Sequence, residues 1–183
     1  GAQWRREGAR FSRLAVNVSA RQLQQPGFPT LVAQALVDSG FEPELLELEV
    51  TETSLQRGEA SVRALQALRD LGVKIALDDF GTGFSSLSML KLLPLDRLKI
   101  DRSFVRDLQS DAGDLAITTA ITAMAQALGL AITAEGVEQD AQRRALDALG
   151  VGEAQGWLYR PAVPPEQVVR LFGHRADPEA GAA

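Results

Sequence analysis

Lys74-Ile75-Ala76-Leu77-Asp78-Asp79-Phe80-Gly81-Thr82-Gly83-Phe84-Ser85-Ser86 is a short apolar run that ends abruptly in two adjacent carboxylates and a Gly-x-Gly turn. The run reads as a buried strand. Two like charges at its end repel by about 4 kcal/mol at ~4 Å with an effective dielectric of ~20. A cation between them removes that cost, and hard divalent cations prefer oxygen ligands. A solvated Asp-Asp turn is the plainer reading of these residues taken alone, so the rest of the chain decides.

Outward from this stretch the pattern alternates strand and helix. Strands are predicted at Arg13–Val18, Leu45–Thr51, Val73–Asp78, Arg97–Asp101 and Ala131–Ala134, with a weaker one near Ala154–Leu158. Helices are predicted at Pro29–Ser39, Gly58–Leu71, Leu87–Leu92, Asp114–Leu128, Gln139–Leu149 and Pro165–Phe172. Gly40, Gly72, Gly129 and Gly150 each stop a helix just before a strand. This repetition predicts an α/β fold with a parallel sheet. Six units fall short of an eight-stranded barrel, which typically needs about 250 residues. Either the sheet is open or two units are missing.

The 183 residues fit one domain, and 45% hydrophobic content is enough for a substantial core. A net charge of -5 argues against a DNA-binding or anionic-membrane surface. The chain has no cysteine, which excludes thiolate metal sites and fits a reducing compartment. Its one histidine, His174, lies in a polar Ala-, Gly- and Pro-rich segment, 174–183, that reads as a disordered tail. Residues 1–173 form the domain.

Ligands of parallel α/β folds meet the carboxyl ends of the strands. Those ends carry Asn17, Glu49 and Glu52, Asp78 and Asp79, Lys99 and Asp101, Glu135 and Glu138, and Gln155. Each has an ordinary reading as a cap, a surface charge or an ion-pair partner. Their conjunction is harder to explain that way. An oxygen-rich set without His or Cys suits magnesium, manganese or calcium. Adjacent Asp78 and Asp79 suit two metals, the apparatus for in-line attack on a phosphodiester. Glu47 shares a face with Glu49 by strand alternation, and its partner is not evident.

Six segments then resemble the EAL domain: Asn17-Val18-Ser19-Ala20-Arg21-Gln22-Leu23, Leu46-Glu47-Leu48-Glu49-Val50-Thr51-Glu52, Asp78-Asp79-Phe80-Gly81-Thr82-Gly83, Leu98-Lys99-Ile100-Asp101-Arg102-Ser103-Phe104-Val105, Ala134-Glu135-Gly136-Val137-Glu138 and Gln155-Gly156-Trp157-Leu158. That family hydrolyses cyclic di-GMP to linear pGpG. The resemblance implies a TIM-like (β/α) barrel, incomplete at its amino terminus, with two Mg2+ or Mn2+ ions per site and Ca2+ inhibitory. It implies Asn17, Glu49, Asp78 and Asp79 as metal ligands, with Asp78 bridging. Lys99 would orient the attacking water or meet the phosphate, and Glu135 would be the general base. Gln155, Glu138 and Asp101 would face the substrate. Glu52 would hold the loop Phe80–Ser88, which in the family couples metal binding to a homodimer interface. A cytoplasmic location is implied, with an upstream sensory or GGDEF-type domain and a membrane-anchored parent both compatible.

The chain departs from the family in two places. The Glu-Ala-Leu signature, which supplies a further ligand, belongs upstream of residue 1, on one of two strands expected to be absent. Residues 1–183 alone are therefore expected to be inactive and prone to swapping through unpaired edges. Near Tyr159-Arg160-Pro161 the chain is one residue shorter than the usual pattern. Trp157 stands where a tyrosine is common and should preserve a stacking or packing surface. A non-catalytic cyclic di-GMP receptor is the competing reading, although such receptors usually lose ligands or the base that are present here. An enolase-type magnesium enzyme would need its base and ligands elsewhere.

Overall fold

The computed structural model describes residues 1–55, 59–81 and 90–173. Most of the loop Phe80–Ser88, the first half of the helix expected at Leu87–Leu92 and the tail 174–183 lie outside these residues. The strands are β1 Leu14–Val18, β2 Leu46–Thr51, β3 Lys74–Phe80, β4 Arg97–Ile100, β5 Ala131–Ala134 and β6 Glu153–Ala154. They form one six-stranded sheet in sequential order, and every pairing is parallel. This is an incomplete (β/α) barrel, as the sequence implies.

The longer helices α3 Phe28–Ser39, α5 Glu59–Asp70, α7 Ala112–Ala127, α8 Asp140–Leu149 and α9 Pro165–Phe172 lie close to the predicted spans. Among the described residues four short α-helices are additional: α1 Ala2–Arg6, α2 Ala20–Leu23, α4 Glu52–Leu55 and α6 Arg102–Arg106. The shortest depend on local chemistry because a single turn does not support itself. Ser19 caps α2 in a capping box with Gln22, and Asp101 caps α6 by accepting from the Ser103 N–H at 2.9 Å. Asp111 caps α7 in the same way.

Strand alternation sorts the side chains into two worlds. Leu48 and Val50, Ile75 and Leu77, Leu98 and Ile100, and Ile132 and Ala134 are buried in a cluster with Leu65 and Leu68 of α5, Ile121 and Ala125 of α7 and Leu146 of α8. The hydrophobic core thus lies between sheet and helices. The intervening positions, including Glu47, Glu49, Asp78, Arg97, Lys99 and Thr133, place polar groups on the inner face. This face has two tiers of charge, one at the amino end of the strands and one at the carboxyl end.

The lower tier places Glu47. Its Oε2 accepts from Arg97 Nε at 2.9 Å and its Oε1 lies 3.0 Å from Arg13 Nε. Arg97 also reaches Thr133 Oγ1 at 2.8 Å and Glu153 Oε1 at 3.1 Å. Arg13 pairs with Glu153 too, so this tier links residues at the two edges of the sheet. The hydrogen bond from Arg13 and the field of Arg97 hold the Glu153 carboxyl below its usual range despite partial burial. Removing one member of a buried ion pair strands the other. Arg97→Met is expected to lower unfolding free energy by about 3 kcal/mol, the low end of the range because Arg13 still serves Glu47. Urea titration checks this, and a midpoint equal to that of the parent would show the tier to be dispensable.

Two strands differ from the sequence reading by more than one residue at an end. β3 runs on through both aspartates to Phe80, with its register against β4 shifting between Leu77 and Phe80. β6 is only Glu153–Ala154 rather than a strand near Ala154–Leu158. The chain turns away because Gly156, at φ +154°, lies against the backbone of Val137, where a Cβ would come within 2.2 Å of the Val137 carbonyl oxygen. Val137 N–H donates to the Gln155 carbonyl and Leu158 N–H to the Val137 carbonyl, both at 3.0 Å. The segments after β5 and β6 are thereby zipped together.

Candidate active site

The upper tier is centred on Lys99 of β4. Its Nζ lies 2.8 Å from Glu49 Oε1, 3.1 Å from Asp78 Oδ1 and 2.5 Å from Glu135 Oε1. Register explains the meeting. Thr51 of β2 is level with Asp78 of β3, which places Glu49 one same-face step below it. Lys99 pairs with Thr133 of β5, and Glu135 follows β5 on the same face. Lys99 is 3% exposed, so an ammonium is buried among three carboxylates. Burial works against its charge, but the bonds to Glu135 and Glu49 outweigh burial and hold the ammonium well above the usual lysine range.

Glu135 is fixed from two sides. Gln155 Nε2 donates to the same Oε1 at 2.7 Å. Burial raises the Glu135 carboxyl above its ordinary value, and nearby Asp78 and Glu49 add to this against the opposing pull of Lys99. Asp79 adopts φ +54°, the only positive φ outside glycine among the described residues, and its N–H donates to Asp78 Oδ1 at 3.0 Å. Burial and the carboxylates of Asp78 and Asp101 push its carboxyl up as well. Carboxylates brought together disfavour one another's ionisation.

Asp78, Asp79 and Glu135 each offer an oxygen, and these oxygens lie within 4.8 Å of one another. The donor set is oxygen alone, which fits a hard divalent cation. Asn17 sits opposite Glu49 in the β1–β2 register but is exposed and makes no hydrogen bond to the cluster. Glu52 opens α4 and is 4% exposed, with neither carboxylate oxygen bonded among the described residues.

The residues read as facing substrate line two adjoining clefts. Asp79, Asp101, Arg102, Arg106 and Glu138 border one of about 650 Å³. Glu135, Gln155, Trp157, Arg160 and, again, Arg102 and Glu138 border one of about 530 Å³. Asp101 has a structural duty besides, since the N–H and hydroxyl of Ser103 both bond its Oδ1; these bonds outweigh burial and hold its carboxyl below the usual range. Arg102 was not singled out as a site residue from the sequence. Its position directly after Asp101 at the end of β4 was the available signal.

No helix among the described residues is long and apolar enough to cross a membrane. The EAL domain model matches residues 2–162. The chain is 46% identical over 157 residues to the bifunctional diguanylate cyclase/cyclic di-GMP phosphodiesterase MucR of Pseudomonas aeruginosa, covering 85% of this chain and 23% of that protein. It superposes on the EAL domain of Mycobacterium smegmatis DcpA with a TM-score of 0.88 at 42% identity, covering 93% of this chain and 78% of that one. It also resembles Klebsiella pneumoniae BlrP1, solved with manganese and cyclic di-GMP, at a TM-score of 0.75 and 33% identity, covering 80% of this chain and 38% of that one. The chain spans about a fifth to a quarter of the length of the curated relatives it matches.

Proposed function

This chain belongs to the EAL domain family, and we propose that its site hydrolyses cyclic di-GMP to linear pGpG with the help of divalent cations. One observation carries the reading: Glu49, Asp78 and Glu135 converge on the inner face around the buried Lys99 ammonium, with Asp79 beside them. Asp78 and Asp79 would hold the cations, with Glu49 and Asn17 contributing from the adjacent strands. Bound Mg2+ or Mn2+ would supply positive charge that makes a water easier to ionise and offsets the charge of the phosphodiester.

The protein's own residues divide the remaining work. Both bonds that fix Glu135 land on Oε1, so Oε2 is the oxygen that would take the proton of the attacking water. A carboxyl raised by burial is a better base than an ordinary one. Lys99, held as an ammonium, would orient that carboxylate and face the developing negative charge on phosphate. Gln155 would keep the Glu135 carboxyl from rotating. Glu52, whose two buried oxygens have no bond among the described residues, would hold the loop Phe80–Ser88.

The test is chromatography of cyclic di-GMP and pGpG after incubation of the full-length protein with Mg2+, Mn2+ or Ca2+. Conversion is expected with the first two. Calcium is expected to bind but inhibit, because it takes more ligands at longer and more variable distances. Ligand binding without conversion under every metal would make the domain a receptor. Full turnover with calcium alone would remove the geometric argument for the smaller ions. Dimerisation through the loop Phe80–Ser88 is a further proposal, tested by sedimentation with and without Mn2+.

A further inference from the structure

Gln142 is 4% exposed, and both ends of its carboxamide are engaged. Its Oε1 accepts from the N–H of Glu138 at 2.8 Å and from that of Gln139 at 2.9 Å. Its Nε2 donates to the Arg106 carbonyl at 3.1 Å. Two donors on one side and an acceptor on the other leave the group one way to point. A glutamine at the third position of a helix that reaches back to the N-cap N–H is half of an ordinary capping box, and Gln142 holds that position in α8. A cap accounts for the bond to Gln139. It accounts neither for the bond to Glu138 nor for the reach to Arg106, the last residue of α6, 36 residues away. Carbonyls at a helix end have no partner within the helix and take one from elsewhere.

The segment that Gln142 holds carries part of the site. Glu135 to Glu138 lead from β5 towards α8, and their N–H groups are tied to three parts of the fold. Glu135 N–H donates to the Ile100 carbonyl of β4 at 3.0 Å, Val137 N–H to the Gln155 carbonyl after β6, and Glu138 N–H to Gln142. Gly136, at φ +65°, lies against α6, where a Cβ would come within 2.5 Å of Arg102 Cβ. Both ends of α6 are therefore fastened to this part of the chain, Arg102 by packing and Arg106 through Gln142. Arg102, Gly136 and Glu138 border both clefts of the site and form the wall that they share. Asp79 borders one cleft and Glu135 the other.

We infer that Gln142 is a positioning residue for the hydrolysis proposed above, on which this reading rests. It fastens α6 to the segment after β5 and so fixes the wall between the two clefts. Although Gln142 borders the larger cleft, all three of its bonds go to protein backbone. It acts through Glu138 and Arg106 rather than on the substrate. A diester that engages Asp79 and Glu135 together reacts only while their clefts hold their relative placement. A small misplacement of reacting groups costs far more in rate than in binding.

Q142E and Q142A separate this bridge from a cap. Glutamate keeps an acceptor for the N–H groups of Glu138 and Gln139 and suits a helix N-terminus, but cannot donate to Arg106. Alanine loses all three bonds. Steady-state hydrolysis of cyclic di-GMP with Mg2+ is measured for the full-length protein and both variants, with melting temperature and hydrogen exchange of residues 102–106 alongside. In Q142E, kcat is expected to fall by roughly ten- to a hundredfold, the range for groups that orient a reactive residue from behind, with KM within about threefold of the parent. The melting temperature should hold, and exchange in α6 should quicken. Q142A should lose as much activity and also melt lower, because the cap is gone. If Q142E turns over like a parent that hydrolyses cyclic di-GMP, Gln142 is only a cap, the inference is overturned and the proposed function stands. A rise in KM that accounts for the whole loss would make Gln142 a binding group and overturns the positioning role equally. A parent that does not hydrolyse cyclic di-GMP removes the proposed function, and the positioning role falls with it.

Discussion

Asp79→Asn is expected to cut metal-dependent hydrolysis of cyclic di-GMP by roughly a thousandfold or more while leaving the fold intact. The size follows from what a carboxylate in a cation site does. Cation assistance is worth several kcal/mol of transition-state stabilisation, and each ~1.4 kcal/mol is a factor of ten in rate. Asparagine keeps the shape but loses the charge that would hold the ion. It is also the substitution the backbone permits, since Asp79 sits at φ +54° and asparagine is among the residues that tolerate the left-handed region. Alanine there would mix backbone strain with lost chemistry.

Stability should move the other way. The Asp79 carboxyl lies above its ordinary value because burial and the Asp78 and Asp101 carboxylates disfavour its charge. An acid raised in the folded state costs stability once pH exceeds its unfolded value, because the fold must then hold a disfavoured anion. Neutral asparagine removes that cost. The melting temperature of the cation-free protein at neutral pH should hold or rise. Turnover equal to the parent's would remove Asp79 from the site, and a large fall in melting temperature would show that it serves the fold.

The meeting of the candidate site residues was legible from the sequence where each of them is local to a strand end. Asp78, Lys99 and Glu135 lie 20 or more residues apart, yet each ends or follows a strand, and parallel strands bring their carboxyl ends to one side. What was not legible depended on contacts between segments. Alternation gave Glu47 its face but could not name Arg97 and Arg13 as partners, because which charges meet across an inner face depends on register and curvature. The end of β6 was misread because Leu158 and Trp157 suit a strand by composition, whereas the close approach of Gly156 to Val137 stops the ladder. The short helices α2, α4 and α6 are too brief to show periodicity and could be found only through caps such as Ser19 and Asp101. Asp101 was read for its place beside Lys99, and its bond to Ser103 adds a structural role that the same position conceals.

Lys99→Met is expected to destabilise the cation-free protein by about 3–5 kcal/mol, the usual cost of removing one partner from a buried ionic contact. Three carboxylates converge on Nζ within 3.1 Å, and Glu49 is only 8% exposed. Without the ammonium they face one another, and water reaches them poorly. Methionine fills similar volume, so the loss is electrostatic rather than a cavity. The ammonium therefore stands in the cluster as a resident positive charge, and a divalent cation offers the same carboxylates a second one. Anything that binds the native state alone stabilises it by mass action. Mn2+ should therefore raise the melting temperature of the Lys99→Met protein by more than it raises that of the parent, since the variant has more unbalanced charge to gain from it. Turnover should still be lost, because the cation replaces charge but not the group that orients Glu135. Equal shifts in variant and parent would mean that the cation and Lys99 do not share ligands, and the cluster would then be a structural ion pair beside the reactive centre.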